Sequence, residues 1–323
     1  MKTWQHLVVA VADPFKQRHM AVKKAAAIAM RCHARITLFH AFSLPYPLPN
    51  PAPKSSDEVL QAAMEYHRKA MEQLARPLRR SGLSVDCVVA WDFPAHEAIV
   101  RYVSKHKPDL LLAESQRHGK LARWLLTNTD WELIRACPCP LWFVKIPGLP
   151  INLSVLAAVD PLHTHAKPAQ LDERIVDTAV SLTTQLAGKL HLVHAYTAPL
   201  ETTRRMLEPL RTSASARQQR LFQASITEQV EQLASRHNLP VNLCMVKEGD
   251  AVTVIESLVR QKLIDVVVMG AVSRSASQRA FVGSTAEKVI DRLRCDLLIV
   301  KQNDFKSTVP KQNAAQRLHL RAS

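Results

Sequence analysis

Two tandem α/β domains, each a doubly wound five-stranded parallel sheet, are what this sequence predicts, and three observations predict them. The chain carries an ungapped internal repeat, its short apolar runs alternate with longer amphipathic segments, and a Pro/Gly break falls between the two copies. Its 323 residues suffice for two domains of about 150 residues, each burying a core of its own.

The repeat sets Asp109 to Lys145 beside Asp265 to Lys301. Asp109-Leu-Leu-Leu pairs with Asp265-Val-Val-Val, and Cys139-Pro-Leu-Trp-Phe-Val-Lys145 with Cys295-Asp-Leu-Leu-Ile-Val-Lys301. Upstream, Val8-Val-Ala-Val-Ala-Asp13-Pro14 resembles Leu156-Ala-Ala-Val-Asp160-Pro161, and Thr37-Leu-Phe-His40-Ala41-Phe42 resembles His191-Leu-Val-His194-Ala195-Tyr196. Runs so short and so uniformly apolar read as strands buried on both faces. With an amphipathic segment between successive runs, each copy reads strand, helix, strand, helix, strand, helix, strand, helix, strand. That alternation argues for right-handed crossovers and a sheet covered on both sides.

Pro147, Gly148 and Pro150 mark the break, because two prolines and a glycine interrupt regular pairing. The expected division is domain 1 at 1–146, a linker at 147–152, domain 2 at 153–302 and a disordered basic tail at 303–323. The linker is short, so the domains are expected to pack together. Between Leu44 and Lys54, prolines at 45, 47, 49, 51 and 53 exclude a helix and predict an extended excursion.

Composition bounds the function. With 47% hydrophobic and 22% charged residues the chain falls in the ordinary soluble range, which excludes wholesale disorder and a membrane bundle. The run Leu7 to Ala12 is too short to span a bilayer and ends at Asp13-Pro14 without a cleavage pattern, so neither a leader nor a membrane span is expected and the location is read as cytoplasmic. Six cysteines lack CxxC or Cys/His metal spacing and read as reduced structural thiols. A net charge of +15 favours polyanions, nucleic acid included, although most of the basic residues lie in predicted helices, where they form solvated faces.

The chemistry concentrates in one loop. Of seven glycines, Gly270 and Gly283 flank the segment between the fourth strand and last helix of copy two, which ends Gly283-Ser284-Thr285. Glycine admits a phosphate to the backbone, and a following helix start offers unpaired N–H groups. Ser284 to Glu287 is also a capping box, able to satisfy the same amides without a ligand. The loop is neither a Walker loop nor GxGxxG. His163 and His165 lack a third ligand for a metal site, and no GxSxG or HExxH pattern supports hydrolysis.

The loop resembles the G-x2-G-x9-G-[ST] signature of nucleotide-binding members of the universal stress protein family, with Ser273 in place of the middle glycine. The resemblance spans both copies, and Thr129-Asp130-Trp131, Cys137-Pro-Cys-Pro140 and the run from Thr285 to Val300 are similar to the tandem two-domain type. It implies a Rossmann-like fold. It also implies that Asp160 approaches adenosine, that Met269 and Gly270 line the ribose and adenine side, that Ala195 touches the base, and that Ser273, Gly283, Ser284 and Thr285 hold phosphates. ATP or another adenine nucleotide, or else another phosphorylated or acidic ligand, is the implied ligand, with nucleotide-bound Mg as the sole metal. The implied role is a non-catalytic stress-response protein promoting survival under stress such as DNA damage, with a homodimer among its partner states. A nucleic-acid-associated basic protein and a weak nucleotide hydrolase remain open alternatives.

Copy one aligns Glu114 with Gly270, Arg117 with Ser273, Thr127 with Gly283 and Asn128 with Ser284. Both glycines are lost and a carboxylate faces the phosphate position, so domain 1 is expected to be degenerate as a nucleotide site. Its last helix is expected to start at the capping pattern Thr129-Asp-Trp-Glu132.

Overall fold

The computed structural model describes residues 3–43, 56–114, 123–162, 170–197, 213–271, 289 and 292–312. The chain divides into two compact units, the first passing into the second between Leu149 and Pro150.

Unit 1 runs β1 His6–Ala10, α1 Met20–Cys32, β2 Arg35–Phe42, α2 Ser56–Arg80, β3 Val85–Trp91, α3 Ala95–His106, β4 Leu110–Glu114, α4 Arg123–Ala136 and β5 Leu141–Val144. All its strands are parallel, in the order β3-β2-β1-β4-β5. Unit 2 repeats the plan with β6 Ser154–Ala158, α5 Leu171–Gln185, β7 Lys189–Tyr196, α6 Ser213–Arg236, β8 Cys244–Glu248, α7 Ala251–Gln261, β9 Val266–Gly270 and β10 Asp296–Val300. Its order is β8-β7-β6-β9-β10, again all parallel. In both units the chain moves outward one way from the first strand and then returns to its other side. The switch point therefore lies between β1 and β4 in unit 1, and between β6 and β9 in unit 2.

The uniformly apolar runs are the central strands, as burial on both faces requires. Leu7, Val8, Val9, Leu110, Leu111 and Leu112 are fully buried in unit 1, and Leu156, Ala157, Val267 and Val268 in unit 2. The repeated aspartate at the start of the fourth strand braces the first. Asp109 Oδ2 accepts from the amides of Gln5 at 2.8 Å and His6 at 3.0 Å, and Asp265 Oδ2 accepts from the Ser154 amide at 2.8 Å. In both units, then, a carboxylate satisfies main-chain donors where β1 or β6 begins.

Two expectations change. α4 begins at Arg123, so Thr129 to Glu132 lies inside the helix and is not its start; Glu132 pairs instead with Arg135 at 2.7 Å. Without glycine or proline between Arg123 and Thr129, nothing in the sequence stops the helix from extending toward β4. Of the segment expected as a disordered tail, 303–312 is described; residues 304–312 group with unit 1, where Arg101 Nη1 donates to the Pro310 carbonyl at 3.3 Å. Arg101 also pairs with Asp92 at 2.6 Å and Glu97 at 2.9 Å. Residues 313–323 and the proline-rich excursion 44–54 lie outside the described residues.

Candidate functional site

In unit 2 the parallel register aligns Ala158 with Val193 on β7 and with Met269 on β9. Asp160, two residues past Ala158, is therefore level with Ala195 on one side and just beyond Gly270 on the other. Asp160, Ala195, Met269 and Gly270 thus gather at the carboxyl ends of neighbouring strands, around the switch point. Ser273, Gly283, Ser284 and Thr285 lie outside the described residues, as do His163 and His165.

Asp160 is 43% exposed at its side chain, and its Oδ1 lies 3.7 Å from His194 Nδ1. The Asp160 amide donates to Asp172 Oδ1 at 3.0 Å, in the first turn of α5. Met269 is buried. Gly270 has a packing reason of its own: a Cβ there would lie 2.7 Å from Leu171 Cδ2 and 3.1 Å from Ile175 Cδ1. The close approach that requires glycine at this position is made by α5. The next amide, Ala271 N–H, is already committed to the Val300 carbonyl at 3.0 Å.

The same place in unit 1 is built differently. Val11 and Val159 hold equivalent positions, since Val11 N donates to the Phe39 carbonyl just as Val159 N donates to that of Val193. Ala12 therefore occupies the position of Asp160, and the Asp13-Pro14 pair falls one residue later than Asp160-Pro161. Glu114, at the position of Gly270, turns its Oε1 to the Ala21 amide at 3.0 Å, in the first turn of α1. A carboxylate satisfies an unpaired N–H there and meets the positive end of the helix dipole. Beside it is a cavity of about 10 Å³, room for about one water, lined in part by Asp13, Lys16, His19 and Glu114. The arrangement is sterically complementary. Counting back from the left-handed residues His33 and Ala187, Ala21 matches Ile175, so unit 1 pairs a large strand-end residue with a small helix residue and unit 2 does the reverse.

The histidines that recur near the ends of the second strands are both buried. His40 Nδ1 donates to the Val11 carbonyl at 2.7 Å, and His194 Nδ1 to the Val159 carbonyl at 3.0 Å. His40 Nε2 then meets His67 Nδ1 at 2.9 Å, within a stack that continues from His67 to Phe42 at 4.3 Å. Sequence reasoning missed His67, whose position on α2 carries no motif.

Burial is the leading cause that lowers His6, His40, His67, His96 and His106 below the ordinary histidine value, all in unit 1; in unit 2, His191 alone is lowered among the described residues. A histidine lowered on folding binds fewer protons folded than unfolded. Its contribution is intact above its unfolded value near 6.5 and drains as pH falls toward the folded value. Unit 1 is accordingly expected to lose stability before unit 2 on acidification below about pH 6.5. All five tryptophans lie in unit 1, so their emission reports its denaturation midpoint alone, and a midpoint unchanged between neutral and mildly acidic buffer contradicts the expectation.

The cysteines are not poised for chemistry. Burial, helped by nearby Glu72, pushes the Cys87 thiol up to about 11, and burial beside Cys137 pushes Cys139 well up too. Cys137 and Cys139 sit with sulfurs 3.7 Å apart. No group of three His, Cys, Asp or Glu side chains suited to a metal occurs among the described residues, and none of the helices described is long and apolar enough to cross a membrane.

Two five-strand sets of parallel strands in the same order, each with its first and fourth strand ends meeting at a switch point, define a tandem Rossmann-like α/β protein. The profile of the Universal stress protein family matches residues 3–145 and 155–301, and the chain belongs to that family. It is 28% identical over 316 residues to Universal stress protein E of Photorhabdus laumondii, covering 96% of this chain and 98% of that one. The Escherichia coli K12 protein of the same name is 28% identical over 315 residues, again covering 96% and 98%. Among solved structures, a functionally unknown protein from Pseudomonas aeruginosa PAO1 shares the fold with TM-score 0.66 at 24% identity, covering 93% of this chain and 94% of that one. A universal stress protein from Archaeoglobus fulgidus does so with TM-score 0.61 at 12% identity, covering 92% and 97%.

Proposed function

We propose that unit 2 binds an adenine nucleotide at the carboxyl ends of β6, β7 and β9, and that the protein serves the stress response as a cytoplasmic binding protein and not as an enzyme. One observation carries the reading. Asp160 and Gly270 meet at the switch point of unit 2, whereas Ala12 and Glu114 occupy the same two positions in unit 1. In open parallel sheets this is where ligands gather. Asp160 and Ala195 then face the adenosine, Met269 and Gly270 the ribose side, and Ser273, Gly283, Ser284 and Thr285 the phosphates. Glycine at position 283 has no Cβ to keep a phosphate from its own amide, and Ser284 and Thr285 add hydroxyls. Any Mg arrives with the nucleotide phosphates.

A ligand that binds only the folded state stabilises it by RT ln(1 + [L]/Kd), about 2.7 kcal/mol at a hundredfold excess over Kd. ATP, ADP or AMP is therefore expected to raise the melting temperature of the full chain, and Gly283→Asp to abolish the rise by adding a carboxylate to the phosphate loop. Absence of a shift with all three nucleotides would sink the proposal. Phosphate release that disappears in the same variant would instead make the site a slow hydrolase. Tighter binding to bulk DNA with a steep salt slope would place the function in the protein's positive charge.

A further inference from the structure

The peptide plane joining Val159 to Asp160 is held on both sides. Its carbonyl oxygen accepts from His194 Nδ1 at 3.0 Å, and its N–H donates to Asp172 Oδ1 at 3.0 Å. A peptide unit is rigid, so fixing its oxygen and its nitrogen fixes the plane from which the Asp160 side chain departs. One jaw comes from β7 and the other from the first turn of α5, and both elements pack against β6. A carbonyl only accepts, so His194 Nδ1 carries the proton, and that N–H also lies 3.7 Å from Asp160 Oδ1.

Unit 1 supplies the comparison. His40 makes the matching bond to Val11, but its ring is anchored at the far side too, through His67. His194 is 1% exposed, and its Nε2 has no partner among the described residues; counting back from the helix ends, exposed Gln223 stands where unit 1 has His67. The second jaw is likewise specific to unit 2. α5 starts one turn earlier than α1, and it is this added turn that carries Asp172. Unit 1 has Ala12 at the clamped position and no carboxylate to aim. The added turn and the half-satisfied imidazole thus occur together with Asp160. Burying a ring nitrogen unpaired is costly, and the one hydrogen bond this ring keeps is the one that orients the Asp160 peptide.

We infer that His194 is a positioning residue: with Asp172 it clamps the Val159–Asp160 peptide and aims the Asp160 carboxylate at the ligand. The inference rests on the nucleotide reading of unit 2 for its ligand, but the clamp can be tested without one. With ATP as the probe and calorimetry on the full chain, His194→Leu is expected to weaken binding at least about tenfold. His194→Asn, whose amide N–H takes the place of Nδ1–H, is expected to stay within about threefold of wild type. In an Asp160→Asn background, His194→Leu is expected to cost no further affinity, an outcome that general loosening of the fold would not produce.

Without nucleotide, hydrogen exchange at the Asp160 amide is expected to quicken at least about tenfold in His194→Leu and in Asp172→Ala, and to stay near wild type in His194→Asn. Equal ATP affinity in wild type and His194→Leu overturns the inference. So does the same loss in the Asp160→Asn background, or unchanged exchange at Asp160. If wild type binds no ATP, the nucleotide reading falls, and the exchange comparison alone decides whether the clamp exists.

Discussion

Gly270→Glu, which installs the residue unit 1 carries at the same register, is expected to destabilise unit 2 by about 4 kcal/mol and to abolish nucleotide binding. Crowding accounts for about half of this, because the new Cβ meets Leu171 at 2.7 Å and a packed site answers extra atoms with strain of about 1–3 kcal/mol. The rest comes from the carboxylate. Glu114 is satisfied in unit 1 by the free amide of Ala21, but Ile175, its counterpart, lies one turn inside α5, where its N–H is spent on the helix. A buried carboxylate without a donor costs about 2 kcal/mol or more. Urea denaturation followed by far-UV circular dichroism measures the loss, while tryptophan emission, confined to unit 1, should be unmoved. Adding Ile175→Ala should restore part of the stability by recreating the small partner of unit 1. A single Gly270→Glu variant as stable as wild type would show that α5 moves aside freely.

Asp109→Ala is expected to cost about 3 kcal/mol in unit 1. It strips the acceptor from two amides, and hydrogen bonds to a charged group contribute about 1.5–3 kcal/mol each, less where water can replace them, as at exposed Gln5. Asp265→Ala should cost unit 2 about 2 kcal/mol, since the corresponding brace there is to the Ser154 amide. Asp109→Asn, keeping an acceptor oxygen, should fall between wild type and Asp109→Ala. Tryptophan emission in urea separates the cases, with a lower midpoint for Asp109→Ala and little change for Asp265→Ala. A neutral result for Asp109→Ala would mean that water or another group replaces the brace.

The fold was legible because the physics that sets it is local and repeated. Asp109-Leu-Leu-Leu and Asp265-Val-Val-Val announce buried parallel strands, and the spacing between such runs leaves room only for crossover helices. The aspartate heading each run was visible as a match, though its partner, the start of the first strand, is more than a hundred residues away. The placement of four of the eight candidate residues was legible for the same reason: Asp160, Ala195, Met269 and Gly270 lie at or just past the ends of strands whose register follows from the pattern.

What escaped depends on tertiary packing or on a single residue of offset. The repeated Asp-Pro dipeptide invites the alignment of Asp13 with Asp160, yet the hydrogen bonds of Val11 and Val159 place Ala12 there. A one-residue difference in a connecting segment leaves the apolar pattern untouched. Gly270 has a packing reason that sequence cannot show, since Leu171 and Ile175 of α5 crowd it. The early start of α4 was hidden by Thr129 and Glu132, a start signal overridden by an unbroken helical run before it.

Glu114 gives the N-terminal half an occupant that never leaves. A group tethered by its own backbone is present at a constant local supply, whatever the cell contains, so the half that holds it should answer alike in starvation and plenty. If unit 2 binds its nucleotide as proposed, that half alone follows a changing metabolite pool. A protein with two near-copies of one scaffold would then carry a single variable input beside an invariant standard.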